Sequence, residues 1–207
     1  EYDYLLNIGG IANITVRRGE EMLAFDVCPA NQILNALAEK EGKTMDEGGS
    51  MAARGVLLPD VLDELNSVGY YKLPAPKSLS NEMARDLVFP KLLESDHNVY
   101  SLLHTMSVHI AQQVAGAVMQ HPPASGPASL LVTGGGAFNT FLAMQLEKAL
   151  EPLNVKVHKP DAGTVKFKEA IVMALIGALR WREEENVLAS VTGASRDSVG
   201  GAIWLGA

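Results

Sequence analysis

Three strand-like runs crowd the start of the chain: residues 3–8 (DYLLNI), 11–17 (IANITVR) and 22–27 (MLAFDV). Only Gly9-Gly10 separates the first two, and a turn at Arg18-Gly19-Glu20 separates the second from the third. Connections this short can join strands only in antiparallel fashion, because a parallel return needs roughly a dozen residues. The chain must therefore begin as a meander. Further on, an apolar run at Leu130–Thr133, a helical segment at Asn139–Leu150 and a second run at Val155–His158 read as a β-α-β unit, which is parallel. A meander joined to a parallel unit predicts a mixed α/β sheet flanked by helices.

Between these parts the pattern is helical. Asn31 is placed to cap a helix over Gln32–Glu41 that stops at Gly42. Residues 45–66 suggest two short helical pieces broken at Gly55 and Pro59. The prolines of Leu73–Ser80 predict a loop. From His97 to Gln120, apolar residues recur at steps of three and four, the stripe of a long core helix. Residues 121–127 (HPPASGP) form a connection, Phe167–Arg182 an apolar helix, and residues 201–205 a last strand.

With 207 residues, 47% of them hydrophobic, the chain can bury the core of one large domain. Its net charge of −7, with no Lys/Arg cluster, argues against a nucleic-acid partner. No run of about eighteen apolar residues points to a membrane. One cysteine, Cys28, precludes an internal disulfide and makes a reducing cytoplasm the default compartment. The chain opens at Glu1, with no initiator Met, directly into strand-like sequence, which leaves open a cut-down chain or a missing upstream half.

Two glycine loops carry the chemistry. In Asn7-Ile8-Gly9-Gly10-Ile11-Ala12-Asn13, a hairpin turn can leave backbone N–H groups free for phosphate oxygens, or can be only a turn. In Thr133-Gly134-Gly135-Gly136-Ala137-Phe138-Asn139, three glycines exceed what a strand-to-helix turn needs. Glycine is costly to order, so something must come close to this backbone, and a nucleotide is the candidate. Gly42-Lys43-Thr44 lacks the first glycine of a P-loop, whose place Leu37 takes. A dinucleotide fingerprint fits Gly134 and Gly136, but Asn139 replaces its third glycine, and Asp161 lies beyond the usual ribose acid.

Asp26, at the end of the third run, either faces a cleft or caps the turn around Pro29. Glu169 falls in the first turn of its helix, where it complements the dipole or grips sugar hydroxyls. Lys77, in a proline-rich loop, is either a phosphate or sugar contact or solvated. His104 and His109, five apart, lie on different helix faces and cannot share a metal. No nucleophile triad or paired-carboxylate signature is readable, so no catalytic residue is assigned.

Read in order, "NIGGIANIT" (7–15), "FDVCPANQIL" (25–34), Asp46/Gly48/Ala52/Gly55, "PKS" (76–78), "VTGGGAFN" (132–139), "KEAIVMALIGAL" (168–179) and "VTGAS" (191–195) resemble the anhydro-N-acetylmuramic acid kinase family over nearly the whole chain. That family belongs to the actin, sugar-kinase and heat-shock ATPase superfamily, whose members have two lobes of ribonuclease H-like design. The resemblance implies that residues 1–207 form a single actin-like ATPase lobe, the second of two, and that a first lobe with its own phosphate loop and the family's catalytic aspartate is missing. It implies ATP and Mg²⁺ as cofactors, an amino sugar as substrate, and phosphorylation of 1,6-anhydro-N-acetylmuramic acid in murein recycling. A homodimer is compatible with it. Carried over by motif, Gly9 and Gly10 with Asn13 behind them would hold phosphates. Gly134, Gly135, Gly136 and Asn139 would contact adenosine, and Glu169 and Asp26 would face the sugar. Val27-Cys28 and Ala30 replace the family's Thr-Gly and Gly, and Leu79-Ser80-Asn81 replaces Thr-Gly-Arg, so bulk at 28 and 30 would narrow a cleft. Two alternatives stand beside this reading: a kinase-like protein that binds without catalysis, and a dinucleotide oxidoreductase.

Overall fold

A computed structural model describes residues 2–19, 21–123 and 126–204. The meander forms as its short turns require: β1 (Tyr4–Ile8), β2 (Ile11–Arg18) and β3 (Glu21–Pro29) pair antiparallel. β4 (Ala128–Thr133) then pairs parallel to β1, and β5 (Val155–His158) parallel to β4. The five-stranded order is β3-β2-β1-β4-β5, which puts β1 at the centre and the switch from antiparallel to parallel pairing at its two sides.

The sheet is packed on one face. Tyr4, Leu6 and Ile8 of β1, Ala12, Ile14 and Val16 of β2, and Leu130 and Val132 of β4 alternate inward and are buried. Against them lie α1 (Asn31–Glu39), α4 (Val99–Gln120) and α5 (Thr140–Leu150). The predicted stripe of the long helix supplies Leu102, Leu103, Met106, Ile110 and Val114, all buried. Each such side chain contributes roughly 1.5–3 kcal/mol by leaving water. α2 (Pro59–Asn66) and α3 (Asn81–Leu93) close the flank of this layer.

The opposite face carries Leu5, Asn7, Asn13, Thr15, Asp26, Leu131 and Thr133, and Leu5, on the central strand, is 41% exposed. α6 (Ala162–Trp181) leaves the β5 edge, and α7 (Ala189–Thr192) returns to lie against β3. Of α6's described side chains only Val165 is buried; Phe167 is 64% and Trp181 70% exposed.

Several expectations are corrected. Ala30, not Asn31, is the N-cap of α1, which ends at Glu39; the Asn31 amide is drawn away to donate to the Ile8 carbonyl at 3.0 Å. Residues 45–58 form two 3-10 turns rather than a helical piece, and only 59–66 is α-helical. α6 begins five residues earlier than its apolar pattern, because Asp161 caps it by accepting from the Thr164 amide at 3.0 Å. Glu169 is therefore two turns inside the helix and has no part in its N-terminal dipole. Residues 201–204 form no strand, and Leu205 lies outside the described residues; the tail is pinned instead by a Val187–Ser198 bridge.

Candidate functional site

β1 and β4 are parallel neighbours, so their carboxyl ends open side by side, β1 into Gly9-Gly10 and β4 into Gly134–Gly136. That edge of an α/β sheet is where ligands bind, because diverging loops leave a crevice beyond the strand ends. Here the two loops interlock. A Cβ on Gly134, whose φ is +81°, would stand 2.6 Å from the Ile8 oxygen. A Cβ on Gly136 would stand 2.2 Å from Ile8 Cγ2. Something does approach this backbone, as the glycine run predicts, but at Gly134 and Gly136 it is Ile8 of the first loop. Gly135 is different. It is exposed, with Asn31 Nδ2 at 3.4 Å as the nearest neighbour of an added Cβ.

After β4 the chain makes a 3-10 turn over Gly135–Phe138 before α5 starts. The Gly135 and Gly136 amides open that turn and have no acceptor within it. Asn139 is the true cap of α5, its Oδ1 accepting from the Leu142 amide at 2.9 Å. In the first loop the Gly9 amide donates to the Ile11 carbonyl at 3.2 Å. The loop's carbonyls turn toward α1: Gly10 O accepts from Ala30 N at 2.8 Å, and Gly9 O from Asn31 N at 3.0 Å. The N-terminus of α1 is thus consumed in holding the loop.

Gly135, Gly136 and Asn139 line a cleft of about 680 Å³ together with Asn31, Asn35, Asp46, Glu47 and Phe138. The Asp46 carboxylate fixes its far wall by accepting from the Met51 amide at 2.7 Å and the Ala52 amide at 2.9 Å. A larger hollow of about 720 Å³ lies behind β5 between Pro127, Met144 and Lys156. None of the predicted residues reaches it, so its size carries no functional weight.

Asn13 and Asp26 come together elsewhere. They face each other across β2 and β3, and line a separate hollow of about 380 Å³ with Pro76, Lys77, Ser78 and Val191. Asp26 does not cap the Pro29 turn, because β3 runs on to Pro29; its Oδ2 accepts instead from the Leu79 amide at 2.8 Å and Ser78 Oγ at 3.2 Å. Lys77 is not solvated. Its ammonium donates to the Tyr70 carbonyl at 3.1 Å and sits 4.6 Å from the Tyr70 ring centre, and burial lowers its pKa. Tyr70 donates its hydroxyl to the Asp26 carbonyl at 2.8 Å, and burial, with Asp26 beside it, pushes that phenol up.

Glu169 is not drawn into either hollow. Its side chain is 80% exposed, and among the described residues its ionic neighbour is Lys168 at 3.9 Å. Sequence reasoning missed Lys168 itself, which reaches from α6 to donate to Asn7 Oδ1 at the junction of the two loops. Nothing in its local pattern marks it; only the path of α6 does. Cys28 and Ala30 are fully buried in the core and line neither hollow, so their bulk fills the interior rather than narrowing a cleft. Burial raises the Cys28 thiol far above its ordinary range, which makes it inert. Asp161 and Asn139, which the dinucleotide reading needed for a ribose and a third glycine, are both helix caps.

The order of these motifs on this fold now has an external measure. The family model for anhydro-N-acetylmuramic acid kinase matches residues 1–206. The chain belongs to the anhydro-N-acetylmuramic acid kinase family. A relative of that name from Burkholderia lata is 33% identical over 211 residues, covering 96% of this chain and 54% of its own length. One from Gloeobacter violaceus is 32% identical over 197 residues, covering 92% and 52%. The chain thus spans about half the length of the curated relatives it matches. Among solved structures, component A of the (R)-2-hydroxyglutaryl-CoA dehydratase of Acidaminococcus fermentans aligns with TM-score 0.50 and 15% identity, over 83% of this chain and 59% of that one. That likeness concerns the fold alone, and agrees with the actin-like ATPase lobe expected from the family. No helix among the described residues is long and apolar enough to cross a membrane.

Proposed function

We propose that this chain is the ATP-binding lobe of a kinase that phosphorylates 1,6-anhydro-N-acetylmuramic acid, yielding N-acetylmuramic acid 6-phosphate for cell-wall recycling. In that reaction water adds at the anomeric carbon and gives up a proton, the anhydro C–O bond opens, and the freed 6-oxygen takes the γ-phosphoryl group as its bond to ADP breaks and ADP leaves. The observation that carries the reading is the interlock of Gly134 and Gly136 with Ile8, which sets both glycine loops at one sheet edge in a chain of this family.

The roles divide by chemistry. The Gly9-Gly10 turn faces the phosphates, with Gly9 shaping it through its bond to Ile11 and Asn13 behind it. Gly134, Gly135, Gly136 and Asn139 shape the cleft for adenosine, where bare backbone lets a flat ring approach. Asp26 and Glu169 are the carboxylates for sugar hydroxyls, on the outer face and on α6. Phosphoryl transfer asks mainly for position and charge neutralisation, which backbone dipoles can begin to supply. Mg²⁺ would add the remaining neutralisation at the phosphates. Among the described residues no group of three or more His, Cys, Asp or Glu is arranged to hold a metal. The base that activates water belongs, on this reading, to a first lobe whose closure would exclude solvent.

Calorimetry with ATP and NAD tests the nucleotide assignment: the chain should bind ATP and ignore NAD. A turnover assay with the anhydrosugar tests the lobe assignment. The 207-residue chain should show none, and a full-length relative's first lobe added in trans should restore it. Phosphorylation by the chain alone would overturn the two-lobe reading.

A further inference from the structure

The two glycine loops offer main-chain dipoles, but a polyphosphate brings full charges into a chain whose net charge is −7. The helix that should compensate them is unavailable, because the first amides of α1 are spent on the Gly9 and Gly10 carbonyls. A cationic side chain is needed. Lys77 is bound to the Tyr70 and Tyr71 carbonyls, and Lys159 lies 5.0 Å from the Phe138 ring centre on the outer side of the second loop. Lys168 alone among the described cations hydrogen-bonds a residue of either loop.

Its present partner is a weak one for a cation. Asn7 Oδ1 is a neutral amide oxygen, and the Asn7 side chain packs where the loops meet, 2.8 Å from where a Cβ on Gly134 would stand. The Glu169 carboxylate, 3.9 Å away, is largely in water and holds Lys168 only loosely. A phosphate oxygen arriving at the junction would be a charged acceptor, and charge-assisted hydrogen bonds are roughly twice as strong as neutral ones. The ammonium is a compact point charge on a flexible stem, suited to changing partners without moving the helix.

We propose that Lys168 is the phosphate-charge residue of the nucleotide site, held by Asn7 in the free protein and passed to a phosphate of the bound nucleotide. This rests on the adenine-nucleotide reading above. It makes α6 a contributor to binding, and not only the carrier of Glu169.

The test compares the wild-type chain with Lys168→Met and Lys168→Arg, titrated calorimetrically with ADP, a non-hydrolysable ATP analogue, and adenosine. The Lys168 side chain is only partly buried, so the variants should fold, and matching thermal unfolding would verify it. Lys168→Met should lose roughly 10- to 100-fold in affinity for ADP and the analogue, with adenosine unchanged. Lys168→Arg should recover most of the loss, and the difference should shrink with added salt. Undiminished ADP binding by Lys168→Met would overturn this role alone. Equal losses for ADP and adenosine would overturn it too, by making Lys168 a prop for the Asn7 loop. Failure of the wild-type chain to bind any of the three would overturn the nucleotide reading, and this role with it.

Discussion

At the scale of single residues, the three glycines that looked alike in sequence do different work. Gly136 is buried against the Ile8 side chain and Gly134 against the Ile8 carbonyl, whereas Gly135 is exposed. Gly136→Ala should therefore lower stability by about 1–3 kcal/mol, the usual cost of forcing a methyl into packed space. Gly135→Ala should be close to neutral for folding, and should weaken nucleotide binding if the cleft it lines is the adenosine site. Urea unfolding and calorimetry on the two variants read these outcomes separately. The glycine run was legible as a place of close approach, but a single stretch cannot say which partner approaches. Lys168 was illegible for the same reason: it gains meaning only from Asn7, 161 positions away.

Among the elements, those fixed by local geometry were legible and those fixed by distant contacts were not. The meander follows from turn length, and α4 from its apolar stripe. α3 went unread because Pro90 lies inside it and its apolar side is narrow: Ala84, Val88 and Leu92, at steps of four. Ser80, which accepts from the Met83 amide at 3.1 Å, was the available signal for its start. α4 and α2 are also tied by a buried polar knot invisible to pattern. His109 Nδ1 donates to Asn66 Oδ1 at 2.7 Å, and its Nε2 accepts from the Tyr71 hydroxyl at 3.0 Å. Burial pushes the His109 pKa down to about 3. The native imidazole thus stays neutral, while the unfolded one takes a proton below about pH 6.5. Stability tied to this group is complete above that pH and is lost as pH falls toward 3, by about 1.4 kcal/mol per unit. Between pH 6.5 and 5 the wild type should lose about 1–2 kcal/mol that His109→Gln does not lose, measured by urea unfolding of both at each pH.

For the molecule as a whole, α6 leaves the most to explain. Phe167, Ile171, Leu175 and Trp181 all stand out in water, far more apolar surface than one helix of a monomer usually shows. At tens of micromolar the isolated chain should self-associate or bind an apolar dye, and Phe167→Glu with Trp181→Glu should abolish both. Light scattering and dye fluorescence would show it; a monodisperse, dye-silent wild type would contradict the exposure of α6. The other end of the architecture is as firm as α6 is open. Ile8 is wedged into the second glycine loop like a key in a lock, so the two bends cannot slide apart. On the proposed nucleotide reading, any hinge would lie outside this pair of bends, and the ligand would meet a gauge already cut to length.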